Sequence, residues 1–269
     1  MAIRLCYFDV DETLVDPARH IPPSLDQALV ACRARGVVLG LATGRMYAAA
    51  LPYAQAISAT APLILYNGAR VCAPADGAVL YARTLELQEA LRALELVARH
   101  GLHVNLYLDD EILIERESEA SRASARKDGV RQRVVGELRA FLDRPPTKLL
   151  IIGAGDALDA LRRDLEAKPL AAELVRSEPT YLELLPDGVS KGAALTEVSR
   201  LTGVPLAEIA AFGDSNNDLE LLETAGLGVA VANALDNVKA VADYIASKPN
   251  GDGVAEALHR YVLGEGQSI

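Results

Sequence analysis

The stretch Ile3-Arg4-Leu5-Cys6-Tyr7-Phe8-Asp9-Val10-Asp11-Glu12-Thr13-Leu14 decides the predicted fold. Its apolar part, residues 3–8, predicts a buried β-strand, and two aspartates follow where that strand ends. Because residues i and i+2 of a strand point to the same side, we predict that Asp9 and Asp11 project together into a crevice. Two carboxylates at such short range repel each other, so one must carry a proton or a cation must lie between them.

Further along the chain, other apolar runs also end in small or polar residues. They are residues 37–42 before Thr43-Gly44-Arg45, residues 63–66 before Asn67-Gly68, and residues 209–212 before Gly213-Asp214-Ser215-Asn216-Asn217-Asp218. Helical patterns alternate with such runs, which predicts an α/β fold with a Rossmann-like, doubly wound parallel sheet. In these sheets ligands bind outside the carboxyl ends of the strands, so we expect the polar residues to gather in one crevice.

The middle of the chain has a different rhythm. Its pattern predicts a helix at 87–99, strands at 104–108, 112–115 and 148–152, a helix near 157–166, and strands around 174 and at 181–185. We interpret residues 83–186 as a second α/β domain, inserted into a core domain that is formed by residues 1–82 and 187–269.

Composition disfavours several classes of protein. The chain has 269 residues and a formal net charge of −10, whereas nucleic acids are bound by clustered basic residues. No apolar run approaches the roughly 18 residues that cross a bilayer, and charged Asp9 comes too early for a secretory signal. Cys6, Cys32 and Cys72 lie far apart in apolar surroundings. We interpret them as reduced core thiols, which predicts a cytoplasmic protein with neither a nucleic-acid nor a membrane partner.

The second acidic loop offers oxygen ligands for a cation. Asp214 and Asp218 follow a predicted strand, as Asp9 does, and glycine, serine and asparagine between them allow a tight turn. Mg²⁺ is commonly held by one or two carboxylates together with water and substrate phosphate, which Asp9 and Asp214 would satisfy. An ordinary helix-capping loop is the alternative interpretation of this sequence.

The sequence also offers groups that can bind a phosphate. Thr43, Gly44 and Arg45 supply a hydroxyl, backbone N–H groups at a helix start and a guanidinium. Lys191 opens another predicted helix, where its ammonium would act as a point charge on phosphate or as a partner of the carboxylates.

In this order and at these spacings, the motifs resemble the haloacid dehalogenase superfamily of phosphotransferases. Residues 9–14 match its first motif, Thr43 its second, Lys191 its third and residues 213–218 its fourth. Finer features are similar to the Cof-type phosphatases of subclass IIB, whose α/β cap domain lies between the second and third motifs. These features are Asn67-Gly68-Ala69, Pro186-Asp187-Gly188-Val189-Ser190-Lys191-Gly192 and Asn250-Gly251-Asp252-Gly253-Val254-Ala255. Glu12 departs from the pattern, because the family most often has glycine there.

The resemblance implies a Mg²⁺-dependent phosphatase that hydrolyses small phosphorylated metabolites, such as sugar phosphates, flavin mononucleotide or pyridoxal phosphate, through an aspartyl-phosphate. Asp9 would be the nucleophile, and Asp11 the general acid that then becomes a general base. Asp9, Asp214 and the main-chain carbonyl of Asp11 would hold the metal. Asp218 and Asn67 would support the site, and the cap would supply the groups that recognise the leaving group.

The same resemblance implies the phosphate ligands. Thr43 and Lys191 would bind the transferring phosphoryl oxygens, with Gly44 and Asn217 adding hydrogen bonds. Arg45 would touch the phosphate or the closing cap, or else form a salt bridge where the two domains meet.

Two other functions stay open at this point. A sugar-phosphate phosphomutase on the same core would move the phosphoryl group between substrate hydroxyls without releasing phosphate. A non-enzymatic phospho-accepting or binding module would share the aspartates, the threonine and the lysine, but needs neither the second acidic loop nor the inserted domain. The physiological substrate and the oligomeric state are not predicted.

Overall fold

The computed structural model of the protein describes residues 2–168 and 170–264. The chain forms two compact units, one of Met1–Tyr81 with Ser190–Ile269 and one of Ala82–Val189. The second unit thus begins at residue 82 rather than 83, and the first resumes at residue 190 rather than 187. Arg83 donates to the carbonyl of Asp187 at 3.0 Å, and the Gly188 amide donates to Glu173 at 3.4 Å. These bonds explain why residues 187–189 stay with the second unit.

The secondary structure alternates between strands and helices. The strands are β1 (Leu5–Phe8), β2 (Val38–Leu41), β3 (Leu63–Leu65), β4 (Arg70–Cys72), β5 (Val79–Ala82), β6 (His103–Leu108), β7 (Glu111–Ile114), β8 (Gln132–Val134), β9 (Lys148–Ile152), β10 (Ala172–Glu178), β11 (Tyr181–Pro186), β12 (Ile209–Gly213), β13 (Leu227–Ala230) and β14 (Tyr244–Ile245). The helices are α1 (Pro23–Ala34), α2 (Tyr47–Ala56), α3 (Leu87–Arg99), α4 (Glu119–Asp128), α5 (Leu138–Phe141), α6 (Gly155–Ala167), α7 (Lys191–Thr202), α8 (Leu219–Thr224), α9 (Asp236–Val241) and α10 (Asn250–Ala257).

A five-stranded parallel sheet forms the centre of the first unit. Its order is β14-β13-β12-β1-β2, and every pairing in it is parallel. Leu5 of β1 lies beside Ile209 of β12 on one side and beside Val38 of β2 on the other. All of β1 is buried, as expected for an apolar strand inside an α/β sheet. The predicted α/β fold with a parallel sheet core is confirmed.

A second, small sheet extends this unit. It has the order β3-β4-β5, with β3 and β4 antiparallel, and Ile64 of β3 forms a parallel bridge with Ala42 just beyond β2. This bridge brings the end of β3, and Asn67 behind it, next to the end of β2. The carboxyl ends of β1, β2, β3 and β12 are therefore followed by the polar residues that the sequence singles out.

The second unit has a sheet and a core of its own. The sheet order is β10-β11-β9-β6-β7-β8, antiparallel except for the pairing of β7 with β8. Its core contains leucines and valines of α3, α6, β6, β9 and β11, among them Leu94, Leu106, Leu149, Leu161 and Leu182.

The same sheet also holds a buried ion pair. Lys148 of β9 lies 3.2 Å from Glu183 of β11, and its ammonium is 4.7 Å from the ring centre of Tyr107 on β6. All three side chains are buried. In the part of the chain that the structure describes, none of the helices combines the length and the apolar character that crossing a membrane requires.

Candidate active site

The first motif is a turn rather than a continuation of the strand. β1 ends at Phe8, and the amides of Leu14 and Val15 both donate to the carbonyl of Val10 at 3.1 Å. Asp9 is buried, while the side chain of Asp11 is half exposed. The two aspartates have different hydrogen-bond partners, Lys191 for Asp9 and Arg45 for Asp11, although the Asp11 charge still contributes to the raised pKa of Asp9.

Lys191 joins the first and fourth motifs. The Ser190 hydroxyl caps α7 by accepting from the Ala193 amide at 3.0 Å, which fixes Lys191 at the first position of the helix. Its ammonium donates to Asp9 and to Asp218, each at 2.6 Å, and is fully buried. Burial lowers the pKa of Lys191, but the charges of Asp218 and Asp9 outweigh burial and hold the pKa above its ordinary value. The lysine is therefore a permanent cation at this site.

The second acidic loop is held by its own backbone. The amides of Asp214 and Ser215 donate to one oxygen of Asp218, at 3.0 and 3.1 Å. A Cβ on Gly213 would lie 2.5 Å from the Asp218 side chain, so only glycine permits this close approach. The buried Thr13 hydroxyl donates to Asp214 at 2.6 Å. Thr13 lies within the first motif, yet nothing in the sequence pattern marks it as a partner of Asp214.

Three buried carboxylates converge on one point. Oxygens of Asp9, Asp214 and Asp218 all lie within 4.8 Å of one another. Burial raises the pKa of Asp9, and the neighbouring carboxylates raise it further against the opposing charge of Lys191. Burial and the charge of Asp218 raise the pKa of Asp214 to about 7. Crowded acidic oxygens of this kind suit a hard divalent cation, so the donor set fits Mg²⁺. The Asp11 carboxylate lies outside this cluster.

Thr43, Gly44 and Arg45, the second motif, lie beside Asn67, which follows β3. The Asn67 amide donates to the Thr43 carbonyl at 3.0 Å, and the Arg45 amide donates to the Thr43 hydroxyl at 3.2 Å. Gly44 faces the Asn67 side chain so closely that a Cβ would lie 3.0 Å from it. Asn67 has a positive φ of 54° and accepts from the Asn217 side chain at 3.0 Å. This contact ties the second motif to the fourth.

Arg45 pairs with Asp11. Two guanidinium nitrogens donate to the two carboxylate oxygens, at 2.8 and 2.6 Å, in a bidentate pair. The Arg45 side chain is 7% exposed and that of Asp11 50%, and the guanidinium also lies 5.0 Å from the ring centre of Tyr53. The sequence predicted a phosphate contact, a cap contact or a salt bridge at the domain seam. The salt bridge found here lies within the first unit, and neither Asp11 as its partner nor Tyr53 was predicted.

Glu12 occupies the position where the superfamily motif favours glycine, and its backbone explains that preference. Its φ is 59°, in the left-handed region, which costs a residue with a side chain about 1–2 kcal/mol. The Asn233 side chain donates to the Glu12 carbonyl at 2.8 Å and holds the turn in this conformation.

These residues form two linked networks. Lys191, Asp9, Asp218, Asp214 and Thr13 make the charged one, while the other runs from Arg45 and Thr43 through Asn67 and Asn217 to Ser215. The residues that the sequence singled out lie in one or the other, except Asp11, which joins through Arg45, and Gly44, which lies against the Asn67 side chain.

Comparison with known proteins gives a consistent family. The family model described as haloacid dehalogenase-like hydrolase matches residues 6–258. The 5-amino-6-(5-phospho-D-ribitylamino)uracil phosphatase YitU of Bacillus subtilis is 29% identical over 270 residues, covering 96% of this chain and 97% of that protein. The HMP-PP phosphatase of Cronobacter sakazakii is 33% identical and covers 88% of this chain and 87% of its own. The pyridoxal phosphate phosphatase YbhA of Escherichia coli is 28% identical, and the match covers 98% of this chain and 100% of that protein.

Solved structures agree with these relatives. A haloacid dehalogenase-like hydrolase from Bacteroides thetaiotaomicron superposes with a TM-score of 0.87 at 28% identity, over 96% of this chain and 99% of that one. A sugar phosphatase of subclass IIB superposes with a TM-score of 0.83 at 25% identity, over 96% of this chain and 98% of that one. The resemblance to the Cof-type members of the superfamily is confirmed, as is the prediction of an enzyme. The chain belongs to the haloacid dehalogenase-like hydrolases.

Proposed function

We propose that the protein is a Mg²⁺-dependent phosphatase that hydrolyses small phosphorylated metabolites through an aspartyl-phosphate. The observation that carries this proposal is the buried Lys191 ammonium, which lies 2.6 Å from Asp9 and from Asp218. It fixes the Asp9 carboxylate beside a permanent positive charge, and beside two further acidic side chains that suit a cation. A nucleophile for phosphorus and charge to neutralise a phosphoryl group are thus in one place.

The first step forms a bond between Asp9 and phosphorus. One Asp9 oxygen attacks, and the bond between phosphorus and the ester oxygen breaks. Lys191 neutralises charge on the phosphoryl oxygens, and the Thr43 hydroxyl and Gly44 amide donate hydrogen bonds to them. The product is an aspartyl-phosphate and an alcohol. Asn217, held by Asn67, adds a further donor at the fourth motif.

Asp11 moves the protons in both steps. For the first step Asp11 carries a proton on one oxygen, released from its hydrogen bond with Arg45, and donates this proton to the leaving oxygen. It then accepts a proton from the water that attacks phosphorus, which releases phosphate and restores Asp9. The half exposure of Asp11 supports this role, because a group that exchanges protons with substrate and water needs access to both. Arg45 positions the Asp11 carboxylate through the bidentate pair.

Asp9, Asp214 and the main-chain carbonyl of Asp11 would hold Mg²⁺. When bound, the metal supplies positive charge that lets a carboxylate approach an anionic ester. Asp218 is already committed to Lys191 and to two backbone amides, so we assign it to orientation of the loop rather than to the metal.

The class of substrate follows from the relatives. Three phosphatases that the chain resembles are named for a phosphorylated ribitylamino-uracil, HMP-PP and pyridoxal phosphate, so we propose small phosphate esters that carry a ring or a polyol. We assign recognition of the leaving group to the predicted cap, residues 83–186. We also propose a cytoplasmic location, because Cys6, Cys32 and Cys72 are reduced and buried, which is typical of reducing compartments.

The test is a phosphate-release assay on a panel of sugar phosphates, flavin mononucleotide and pyridoxal phosphate, with Mg²⁺ and with a chelator. We expect release that needs Mg²⁺ and that Asp9→Asn abolishes, while circular dichroism shows an unchanged fold. Isomerised sugar phosphate without free phosphate would identify a phosphomutase instead. Release that persists in Asp9→Asn would exclude Asp9 as the nucleophile.

A further inference from the structure

Glu12 keeps an unfavourable backbone conformation at the border of the acidic cluster. Its φ of 59° favours glycine, yet a glutamate stands there. A strained residue persists only where the surrounding structure holds it, and such residues cluster at functional sites. The Asn233 side chain holds Glu12 by donating to its carbonyl, and it is held in turn by the Asn250 amide at 2.8 Å.

The position of Glu12 ties its charge to Asp214. The next residue, Thr13, donates to the Asp214 carboxylate at 2.6 Å. On the other side, the amide of Leu235, two residues after Asn233, donates to the Asp214 carbonyl at 2.9 Å. After burial and Asp218, the Glu12 charge is a further contribution that raises the pKa of Asp214. Glu12 thus lies one residue from a group that is bonded to the Asp214 carboxylate, and the segment that holds its carbonyl also bonds the Asp214 backbone.

The fold does not explain the Glu12 side chain through packing or pairing. It is exposed, and its carboxylate makes no ion pair with any residue that the structure describes. Packing cannot account for a glutamate here, and the backbone disfavours it. What distinguishes it from glycine is an exposed negative charge, next in sequence to the Thr13 that binds Asp214.

We propose that Glu12 is a metal-positioning residue, whose exposed carboxylate attracts the divalent cation to Asp9 and Asp214 and raises the affinity of the site for it. This inference rests on the proposed Mg²⁺-dependent function. Glu12 acts through charge in water and does not enter the set of metal ligands. Its effect therefore falls as salt screens it, unlike that of a ligand in direct contact with the metal.

The experiment titrates MgCl₂ into the substrate-free protein and follows the thermal unfolding midpoint, which rises as the metal binds the folded state. Glu12→Gln removes the charge and keeps the side chain, whereas Glu12→Gly removes both and relaxes the backbone. Glu208→Gln is the control for a carboxylate far from the acidic loop. Glu208 precedes β12, at the opposite end of that strand from the loop, and its carboxylate pairs with Arg4.

We expect both Glu12 variants to bind Mg²⁺ about three- to tenfold more weakly, the size of effect that one unit charge has on a divalent cation through water. The difference from wild type should shrink in 0.5 M KCl, where the Debye length is about 4 Å instead of about 10 Å at 0.1 M. Glu208→Gln should match wild type. Without metal, both variants lose the repulsion of Glu12, and Glu12→Gly should unfold at the higher temperature of the two because it also relaxes the backbone.

Wild-type affinity in Glu12→Gln would overturn the inference, whether or not Glu12→Gly binds weakly, because charge would then be irrelevant. Weak binding that does not change with salt would overturn it as well. If Mg²⁺ leaves the midpoint of the wild-type protein unchanged, the proposed function and this inference both fail. Mg²⁺ binding that is equal in all variants leaves the proposed function standing and removes only the role of Glu12.

Discussion

The bidentate pair of Arg45 and Asp11 joins a buried cation to a half-exposed carboxylate. Guanidinium geometry fixes both carboxylate oxygens, whereas a lysine ammonium would hold them as a point charge without a fixed direction. The orientation of the proposed general acid therefore depends on the shape of the arginine and not only on its charge.

Arg45→Lys tests this dependence. We expect kcat to fall about tenfold for an alkyl phosphate, whose leaving oxygen needs a proton, and to change little for p-nitrophenyl phosphate, whose leaving group needs none. Steady-state kinetics on the two substrates measure the ratio. Arg4→Lys, at an exposed pair with Glu208, is the control. Equal losses on both substrates would contradict a role in positioning the acid.

Thr13 is the buried hydroxyl next to Asp214. Its hydrogen bond lowers the pKa of Asp214 against the effects of burial and of Asp218, so it favours the charged form that binds metal. We expect Thr13→Val to raise the Mg²⁺ concentration for half-maximal activity about tenfold, as typical for partners of metal ligands. Thr13→Ser keeps the hydroxyl and should behave as wild type. A normal Mg²⁺ requirement in the valine variant would show that the hydrogen bond is dispensable.

Among the helices and strands, hydrophobic periodicity is enough to predict the longer elements from the sequence. Residues 87–99 and 148–152 were predicted as helix and strand, and α3 and β9 have these bounds. The first strand was predicted two residues too early, because its apolar character begins before its pairing with β12. Short elements such as β8, β14 and α9 were not predicted, since two to six residues carry too little pattern for either period.

The candidate site divides in the same way. Strand ends and motif order single out the carboxylates, Thr43 and Lys191 in the sequence, and the structure brings Asp9, Asp214, Asp218 and Lys191 together. Their partners were not found, because the contacts of Thr13 with Asp214 and of Arg45 with Asp11 depend on loop backbones that no periodicity encodes. The sequence hints at the positive φ of Glu12 only because the superfamily motif favours glycine at this position.

The buried pair of Lys148 and Glu183 connects β9 to β11 in the second unit. Removal of one member of a buried pair costs about 3–5 kcal/mol, whereas replacement of both by apolar residues is often neutral. We expect Glu183→Leu to lower the free energy of unfolding by about 3 kcal/mol, and Lys148→Met with Glu183→Leu to recover most of it. Urea denaturation measures both. A double variant as unstable as the single one would show that the pair itself supplies the stability.

For the whole molecule, the second unit is continuous in sequence and the first is not. Residues 82–189 contain a complete sheet and their own apolar core. We therefore expect this segment alone to unfold cooperatively on heating, as followed by circular dichroism. Residues 1–81 alone lack β12 beside β1 and should show no cooperative transition. A fragment 82–189 without a transition would contradict independent folding of the second unit.

The first unit should survive removal of the second. Arg83 contacts the carbonyl of Asp187 at 3.0 Å, so the two junctions lie close together and a short Gly/Ser linker can replace residues 82–189. Because all three clustered carboxylates belong to the first unit, we expect this variant to keep a Mg²⁺-dependent rise in its unfolding midpoint. Asp214→Asn in the same background is the control and should abolish that rise.

The pairing of Leu5 with Ile209 has a consequence for synthesis on the ribosome. The two residues are 204 positions apart, from 5 to 209, so at about 5–20 residues per second β1 waits about 10–40 s for its neighbour. The second unit is complete, at residue 189, before β12 is translated. The nascent chain therefore carries a complete second unit while β1, beside β2, still lacks β12 on its other side, and during that interval the open side of the strand is exposed to aggregation.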